Sequence, residues 1–447
     1  MAGAGATGGS ILADRAMTGR QAFVIFLSVV LNALDGFDVL AITFAAPGIA
    51  RDWAVSLSAL GIVISTGLVG MVAGSIVIAP LADRIGRRPT IIGCCALMGL
   101  GMVLTSTAGS VAMLSVWRVV TGLGIGGMIA AVTAVAAEFG NERRRDLCVS
   151  LMTVGYPIGG LLGGLASAWL VEQAGWRAIF WAGGLATLAV VPVLLAALPE
   201  SPEYLLGRGG ADMRQRIDAV LAKLGHAPLR GLPVSTERPV RASPLELFGP
   251  AFRRTTIFLV IGYFLHIMTF YFFSGWLPKI MTDGGFTVPQ AIATSAIMNV
   301  GGVMGGAVIG WAAPRFGLKR LAICSMIGTT ALMAAFGLGG AGLAALRVLA
   351  FLLGIAIFGG VVGLYAFLAR AYPARLRVTG SGFAIAMGRG GAVVGPVLGG
   401  FLLEAGLPAG QVLAIIGAAA TAGAVFLLPI PIGRPLDRPT LTPETLS

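Results

Sequence analysis

Long apolar runs separated by short polar breaks occupy almost the whole chain. Each run is about as long as an α-helix that crosses a bilayer, roughly 20 residues. The pattern therefore predicts an all-α integral membrane protein with twelve transmembrane helices. The predicted spans begin near Ala22, Leu57, Thr90, Val111, Leu147, Trp176, Thr255, Pro289, Leu321, Gly342, Thr379 and Gly410.

The longest break, residues 199–254, divides the twelve spans into two sets of six. We therefore predict two six-helix bundles, at residues 22–198 and 255–431, joined by this linker. Residues 1–21 and 432–447 form the predicted N-terminal segment and C-terminal tail.

Residues 212–224 of the linker have the apolar spacing of a helix that lies on a surface. Its apolar residues share one face, while its basic residues stay in water. We expect a short amphipathic helix docked on the membrane domain. The apolar residues are Ile217, Val220, Leu221 and Leu224, and the basic ones are Arg214, Arg216 and Lys223.

Two loops at corresponding places in the halves have similar sequences. Residues 79–88 (Ala-Pro-Leu-Ala-Asp-Arg-Ile-Gly-Arg-Arg) follow the second span, and residues 310–320 (Gly-Trp-Ala-Ala-Pro-Arg-Phe-Gly-Leu-Lys-Arg) follow the eighth. An internal repeat of this kind is typical of proteins in which two bundles rock about a site near the middle of the membrane.

Composition excludes a soluble protein. Of the 447 residues, 57% are hydrophobic and 11% are charged, and the mean hydropathy is +0.91. The formal charge of +12 is explained by topology, because 25 of the 31 Lys and Arg residues fall in the two termini and the even-numbered loops. The positive-inside rule then places both termini in the cytoplasm, and no nucleic-acid partner is needed.

The first apolar stretch is too long for the h-region of a signal peptide, so we expect it to act as the first transmembrane helix. The chain is predicted to be a multi-pass protein of the cell membrane, which we expect to be a bacterial inner membrane. We expect the bilayer to surround a monomer.

Two acidic residues lie in the middle of the first span, in a run from Phe23 to Ile49 with no other charge. A carboxylate at this depth is costly unless it is paired, protonated or facing water. Asp35 and Asp38 are three residues apart and share a helical face with Asn32, one turn earlier. We expect all three to face one cavity and the two aspartates to bind coupling protons.

Two arginines lie inside predicted spans. Arg389 is near the middle of the eleventh span, predicted from Thr379 to Leu403, where it is too deep to reach the surface easily. Its planar guanidinium can bind a carboxylate through two hydrogen bonds, which favours an anion receptor; the alternative is an internal salt bridge to an acid of the first span. Arg118, nearer the outer end of the fourth span, is a second candidate for substrate contact, unless it extends to the interface or packs beside glycines.

The seventh span is rich in aromatic residues that could hold a planar ring. Tyr263, His266 and Phe270 are the candidates there, with Tyr365 on the tenth span and Asn299 on the eighth. Aromatic residues in membrane helices also face lipid or pack against neighbours, and His266 could be a neutral, buried side chain satisfied by another helix.

We find no set of residues that points to covalent chemistry. The four cysteines fall within or at the edges of spans and fit packing, not a zinc site or a disulfide framework. Residues 122–127 (Gly-Leu-Gly-Ile-Gly-Gly) look like a dinucleotide loop but lie inside the fourth span with no preceding strand. We therefore expect neither an enzyme nor a metal, and no cofactor other than protons as the coupling ion.

At these residues the chain resembles the major facilitator superfamily. The loop after the second span is similar to the family's pattern of glycine, three residues, Asp-Arg, one residue and Gly-Arg-Arg, with Ala79 in place of the first glycine. Residues 199–203 (Pro-Glu-Ser-Pro-Glu) after the sixth span and the glycines after Arg118 are also similar. The resemblance implies the superfamily's fold and a cytoplasmic gate formed by Asp83, Arg84, Arg87, Arg88, Glu138 and Arg143.

A narrower resemblance is to the aromatic acid:proton symporters of that superfamily. Residues 35–38 (Asp-Gly-Phe-Asp), with Pro47 downstream, are similar to the first-helix signature of those proteins. Residues 372–380 (Tyr-Pro-Ala-Arg-Leu-Arg-Val-Thr-Gly) and 388–391 (Gly-Arg-Gly-Gly) are similar to their tenth-to-eleventh-helix region. The resemblance implies proton-coupled import of a small aromatic carboxylate by alternating access.

Two alternatives share most of these features. Residues 395–400 (Gly-Pro-Val-Leu-Gly-Gly) look like an antiporter motif, which would make the protein a proton-driven exporter of small organic compounds. The substrate of a symporter could also be a non-aromatic organic acid. A transporter-like chemosensor would need an added signalling domain, and the segment after Arg434 is short.

Overall fold

The computed structural model describes residues 11–209, 212–229, 244–372 and 374–430. In these ranges twelve helices are long and apolar enough to cross a membrane, which confirms the predicted all-α membrane fold. The predicted tail, the first ten residues and the middle of the linker lie outside the described residues.

In the described part of the chain the twelve spans are formed by thirteen helices, because the eleventh span is interrupted. The first bundle contains α1 (Gly19–Trp53), α2 (Leu57–Val77), α4 (Arg87–Ser106), α5 (Val111–Glu138), α6 (Arg145–Ala174) and α7 (Arg177–Ala197), with a short loop helix α3 (Leu81–Ile85). The linker contains α8 (Pro202–Arg208), α9 (Met213–Leu224) and a 3₁₀ turn (Pro244–Phe248). The second bundle contains α10 (Arg253–Asp283), α11 (Val288–Phe316), α12 (Leu318–Gly337), α13 (Leu343–Ala371), α14 (Ala374–Gly388), α15 (Gly390–Glu404) and α16 (Ala409–Leu427).

The interruption in the eleventh span lies at Arg389, so the continuous helix predicted from Thr379 to Leu403 is wrong at this residue. The Arg389 amide still donates to the Ile385 carbonyl at 3.0 Å, but the Arg389 carbonyl accepts from Ala392, only three residues on, at 3.0 Å. Glycines on both sides favour such a local tightening because they have no side chain to hold the regular turn.

Glycine seams hold the helices of each bundle together. In the first bundle, a methyl group added to Gly126 of α5 would lie 1.9 Å from the Met71 carbonyl oxygen of α2. In the second bundle, one added to Gly301 of α11 would lie 2.0 Å from the Phe351 carbonyl oxygen of α13. The two seams occupy corresponding spans, so the predicted internal repeat is present in the packing as well as in the loops.

Contacts between the bundles concentrate on the side of the membrane away from the linker, which we call the far side; the opposite side is the linker side. There, α2 meets α15, where the Ser58 amide donates to a Glu404 carboxylate oxygen at 2.7 Å and the Ser65 hydroxyl donates to the Val393 carbonyl at 2.9 Å. Two glycines of α6 also pack against side chains of α11, Gly160 against Asn299 and Gly164 against Ala296. The two bundles are therefore joined beyond the middle of the membrane.

The linker docks on the first bundle through α9. The four apolar residues predicted to share a face are all buried, which confirms the amphipathic helix. At its end, the His226 ring lies 2.9 Å from the Gln21 side-chain oxygen, and Arg15 donates to the Ala227 carbonyl at 2.6 Å. Burial, aided by the charge of Arg15, lowers the pKa of His226, so the ring enters this contact as a neutral donor.

Candidate functional site

A buried ion pair joins α1 to α5 near the middle of the first bundle. One guanidinium nitrogen of Arg118 lies 2.5 Å from Asp38 Oδ1, and the other donates to the Asp38 carbonyl at 3.0 Å. The two side chains are 1% and 0% exposed. The interfacial position considered for Arg118 is therefore wrong, and Arg118, not Arg389, is the partner of an acid in the first span.

Asp35, one turn before Asp38, is buried without a comparable partner. Its Oδ1 accepts no hydrogen bond from the described residues. The nearest charges acting on it are those of Asp38 and of Arg389 in the other bundle. An ionised carboxylate in this position is poorly compensated, so Asp35 is the acid of the pair that is suited to take up and release a proton.

Asn32 points away from these acids. Its amide nitrogen donates to the Met152 carbonyl at 2.8 Å and to the Thr153 carbonyl at 3.3 Å, both on α6. The prediction that Asn32, Asp35 and Asp38 face one cavity is therefore wrong, because Asn32 is bound by the backbone of α6 and Asp38 is paired with Arg118 of α5. Asn32 fixes α1 against α6.

Arg389 reaches across the bundle interface at the interruption of the eleventh span. Its guanidinium donates to the Ser75 hydroxyl of α2 at 2.7 Å, and the side chain is only partly buried. A neutral hydroxyl leaves the positive charge uncompensated, so the guanidinium remains available to an anion. The salt bridge considered for Arg389 is not formed in this arrangement.

Four tyrosines surround Asp35 and Arg389, and we call these six residues the central cluster. The Tyr263 hydroxyl donates to the Tyr365 hydroxyl at 3.2 Å, and their ring centroids are 5.9 Å apart. Tyr271 lies near Asp35, Arg389 and Tyr365, and Tyr156 lies near Asp35, Tyr271 and Tyr365. The cluster thus combines residues of α1, α6, α10, α13 and the eleventh span.

Two other candidates on α10 contact α13, and the Phe270 ring also packs edge-on against Tyr271 of the central cluster at 4.9 Å. The His266 Nε2 donates to the Ile357 carbonyl at 3.0 Å, and the ring is 0% exposed. The Phe270 ring packs edge-on against Phe358 at 5.0 Å. The hydrogen bond to Ile357 agrees with the alternative considered from the sequence, in which His266 is a buried side chain bound by a neighbouring helix.

Asn299 lies at the junction of the two bundles. Its amide nitrogen donates to the Ser295 carbonyl of its own helix, α11, at 2.9 Å. Its oxygen faces α6, where a methyl group added to Gly160 would lie 2.7 Å away. The described contacts of Asn299 are therefore those of a packing residue.

The predicted gate residues assemble on the linker side of the first bundle. Arg87 pairs with Asp83 at 3.0 Å and with Glu138 at the end of α5 at 3.3 Å. Arg88 donates instead to the Leu198 carbonyl at 2.8 Å, at the end of α7. The Arg84 and Arg143 side chains are exposed, and neither forms an ion pair with a described residue.

Sequence reasoning missed two residues of the site, Tyr156 and Ser75; Tyr271 was among the aromatic residues of the seventh span considered for a planar ring. A signal for Tyr156 was present, since the chain has six tyrosines and four of them belong to the central cluster. Ser75 carried no signal, because a serine inside a membrane helix usually bonds its own backbone, and Ser75 also donates to the Met71 carbonyl at 2.9 Å.

The central cluster can bind a proton and an organic anion together. Asp35 supplies a carboxylate, Arg389 a guanidinium, and the tyrosines supply rings for stacking and hydroxyls for polar substituents. Within the described ranges, no three His, Cys, Asp or Glu side chains are grouped so that they could hold a metal ion.

Comparison with known proteins supports a transport role. The model of the Major Facilitator Superfamily matches residues 23–313 and 259–444. The chain is 32% identical over 428 residues to the gallate transporter of Pseudomonas putida, and the matched region covers 93% of each chain. It is 33% identical to the 4-hydroxybenzoate transporter PcaK of Pseudomonas aeruginosa, with 91% of each covered, and 31% identical to the 3-(3-hydroxy-phenyl)propionate transporter of Escherichia coli, with 87% and 88% covered.

Solved structures show the same fold at low sequence identity. A D-xylose-proton symporter matches with a TM-score of 0.68 and 19% identity, over 92% of this chain and 98% of the other. A bacterial homologue of the human lysosomal transporter Spinster matches with a TM-score of 0.66 and 18% identity, over 92% and 95%.

Proposed function

We propose that this chain, which belongs to the Major Facilitator Superfamily, is a symporter that imports a small aromatic carboxylate together with protons. It is a multi-pass membrane transporter and not an enzyme. The observation that carries this proposal is the contrast between the two acids of α1. Asp38 is already paired with Arg118, whereas Asp35 forms no ion pair with a described residue, and the positive charge that acts on it is that of Arg389 in the other bundle.

In the proposed cycle, a proton binds Asp35 and the substrate carboxylate binds Arg389. When both sites are empty, the charges of Asp35 and Arg389 attract each other across the bundle interface. When both are filled, the proton neutralises Asp35 and the substrate carboxylate neutralises Arg389, so this attraction is lost. The bundles then rock about the central cluster and expose it to the other side. No covalent step is required, and protons serve as the only coupling ion.

The tyrosines support an aromatic substrate. Tyr263, Tyr271 and Tyr365 lie around Arg389, so a ring whose carboxylate is bound by the guanidinium would lie among phenol rings. The relatives named for gallate and 4-hydroxybenzoate carry hydroxylated rings, and tyrosine hydroxyls can bond such substituents. We therefore infer a benzoate-like acid with at least one ring hydroxyl.

We place the linker side in the cytoplasm. This orientation puts both termini and the basic loops inside the cell, in agreement with the positive-inside rule. We infer the cell membrane of a bacterium, because the relatives named above are bacterial. The Arg87, Asp83 and Glu138 contacts would then form the cytoplasmic gate, and we expect a monomer to be the functional unit.

Uptake into proteoliposomes tests the proposal. An acid pulse outside should drive accumulation of labelled 4-hydroxybenzoate by the wild type. Asp35→Asn should abolish accumulation yet retain counterflow, because asparagine keeps the size of the side chain but cannot carry a proton. Glu172→Gln, which removes an exposed acid from α6, should accumulate normally.

The direction and the substrate are decided in the same assay. Undiminished accumulation by Asp35→Asn would remove this acid from proton coupling. Acid-driven efflux instead of uptake would show an exporter. Equal competition by benzoate-like and aliphatic acids would remove the aromatic assignment, and Tyr263→Ala, which loses stacking and a hydroxyl together, should weaken aromatic competitors selectively.

A further inference from the structure

A second cavity lies far from the central cluster, where the first bundle meets the linker. It has a volume of about 700 Å³ and is bounded by the start of α1, the end of α7 and the linker helices α8 and α9. Five of the residues that line it are basic and one is acidic. They are Arg20, Arg88, Arg208, Arg216 and Lys223, with Glu200 as the acid.

The acid in this cavity is already bound. A Glu200 carboxylate oxygen accepts the backbone amides of Arg87 at 2.9 Å, Arg88 at 3.2 Å and Ser201 at 2.9 Å. It fixes the loop after α3 to the end of α7, and its single negative charge offsets only one of the five positive charges. The cavity is therefore strongly positive.

Two of the basic residues are bound to backbone carbonyls, and three are exposed residues of the linker, of which Arg208 donates to the Tyr204 hydroxyl at 3.0 Å. Arg88 donates to the carbonyls of Leu198 at 2.8 Å and Leu195 at 2.7 Å, and Arg20 donates to the Lys223 carbonyl. The three linker residues Arg208, Arg216 and Lys223 are exposed, and none of them forms an ion pair with a described residue. They can turn towards an anion without breaking an existing salt bridge.

The cavity also has an apolar side that a small soluble anion would not need. Phe23 at the start of α1 is 43% exposed, and Leu195 near the end of α7 is 53% exposed. Both belong to transmembrane helices and lie near the ends of those helices, so a bilayer that covers the two spans would place hydrocarbon against the apolar side and lipid headgroups beside the basic residues. Basic pockets in this position suit anionic headgroups.

We propose that this cavity binds the phosphate group of an anionic phospholipid, with the start of an acyl chain against Phe23 and Leu195. The lipid bridges the linker helices to the first bundle, because Arg208, Arg216 and Lys223 come from the linker and the apolar side comes from α1 and α7. The linker is then held on the first bundle by a membrane component as well as by its own apolar face. This inference does not depend on what is transported or in which direction.

Lipid binding to the purified full chain tests the proposal. Delipidated protein in an uncharged detergent is titrated with phosphatidylglycerol, phosphatidylcholine or inorganic phosphate, and bound lipid is counted by native mass spectrometry. Phosphatidylglycerol should bind and raise the unfolding temperature, whereas phosphatidylcholine and phosphate should do neither at the same concentration.

Two triple variants with the same change in charge locate the site. Arg208→Gln/Arg216→Gln/Lys223→Gln should weaken phosphatidylglycerol binding about a hundredfold, since each basic residue near an anionic headgroup contributes about a fivefold change. Arg253→Gln/Arg320→Gln/Arg370→Gln removes three exposed charges from the linker side of the second bundle and should leave binding unchanged.

Several results would overturn the proposal. Equal binding of phosphatidylcholine would mean that the headgroup charge is not recognised. Binding of inorganic phosphate alone would identify a site for a soluble anion. An equal loss in both triple variants would mean that only the overall charge matters. If the linker triple variant does not fold, Arg216→Gln alone, at an exposed position, should still weaken binding about fivefold, and unchanged binding would contradict the site.

Discussion

At the scale of single residues, the two acids of α1 differ because α5 places Arg118 beside Asp38 and not beside Asp35. Asp38 receives two hydrogen bonds from Arg118, one at its carboxylate and one at its backbone carbonyl, while Asp35 forms no ion pair with a described residue. Removing one member of a buried pair leaves the other charged and unpaired, which is far more costly than removing both. The two acids should therefore respond differently to the same substitution.

Asp38→Asn should lower stability, in contrast to the coupling defect proposed for Asp35→Asn. Loss of one partner of a buried pair costs about 3–5 kcal/mol, so we expect a marked fall in the unfolding temperature of the purified protein. The double variant Asp38→Asn/Arg118→Met, which removes both charges and keeps the volume, should recover most of the loss. A double variant less stable than Asp38→Asn would show that the pair does not account for the effect.

Arg389→Lys should weaken binding of the carboxylate substrate without unfolding the protein. Lysine keeps the charge but not the planar pair of donors, and a charged hydrogen bond contributes about 1.5–3 kcal/mol. Calorimetry with the best-binding acid measures this change. Ser75→Ala, which removes only the hydroxyl that Arg389 now contacts, is the matched control and should have a smaller effect. Normal affinity in Arg389→Lys would make Arg389 a structural residue.

Sequence spacing predicted the acids and the central arginine, but not their partners. A period of three to four residues puts Asn32, Asp35 and Asp38 near one face, yet the helix is surrounded, and small differences in direction lead to α6, to Arg389 and to α5. Arg118 lies 80 residues after Asp38 in the chain, so only helix packing could bring them together. Their functional roles stay predictions.

At the scale of elements, glycines decide how closely the helices approach. Apolar runs were sufficient to predict all twelve spans, because length and hydropathy alone determine which segments cross a bilayer. They did not predict the interruption at Arg389, because glycines in a membrane helix serve close packing as often as they permit a break. Which role Gly388 and Gly390 take depends on neighbours that the local sequence does not specify.

Gly126→Ala should destabilise the first bundle. The added methyl group would lie 1.9 Å from the Met71 carbonyl oxygen, so α2 and α5 would have to move apart. Overpacking of this kind costs about 1–3 kcal/mol. Thermal unfolding in detergent measures the loss.

The matched control for Gly126→Ala is Gly93→Ala in α4, where the methyl group would meet nothing within 4 Å. Alanine favours a helix over glycine by about 0.5–1 kcal/mol, so this variant should be unchanged or slightly more stable. Equal destabilisation of both variants would mean that the glycine seam is not the reason.

At the scale of the whole molecule, the two bundles are similar units joined mainly on the far side of the membrane. The correspondence of the glycine seams follows from an internal repeat that the loops after α2 and α11 had already indicated. The state in which the bundles meet was not predictable, because one sequence must fit every state of a transport cycle. The linker adds further contacts to both bundles. Its Glu200 accepts the amides of Arg87 and Arg88 in the first bundle, and the Leu247 carbonyl accepts the Thr256 hydroxyl of the second at 3.0 Å.

The Asp38–Arg118 pair has no net charge, so the first bundle can turn in the electric field across the membrane without electrical work on that pair. In the proposed cycle, Asp35 and Arg389 cancel when the carrier is empty, and a proton and a monoanion cancel them separately when it is loaded. Neither form then carries net charge across the membrane, so the pH gradient and the substrate gradient set the direction of flow and the membrane potential does not. With one proton per anion, uptake at a fixed pH gradient should not change when valinomycin and potassium impose a membrane potential on the vesicles. A wild type stimulated by an inside-negative potential would show that more than one positive charge accompanies each anion.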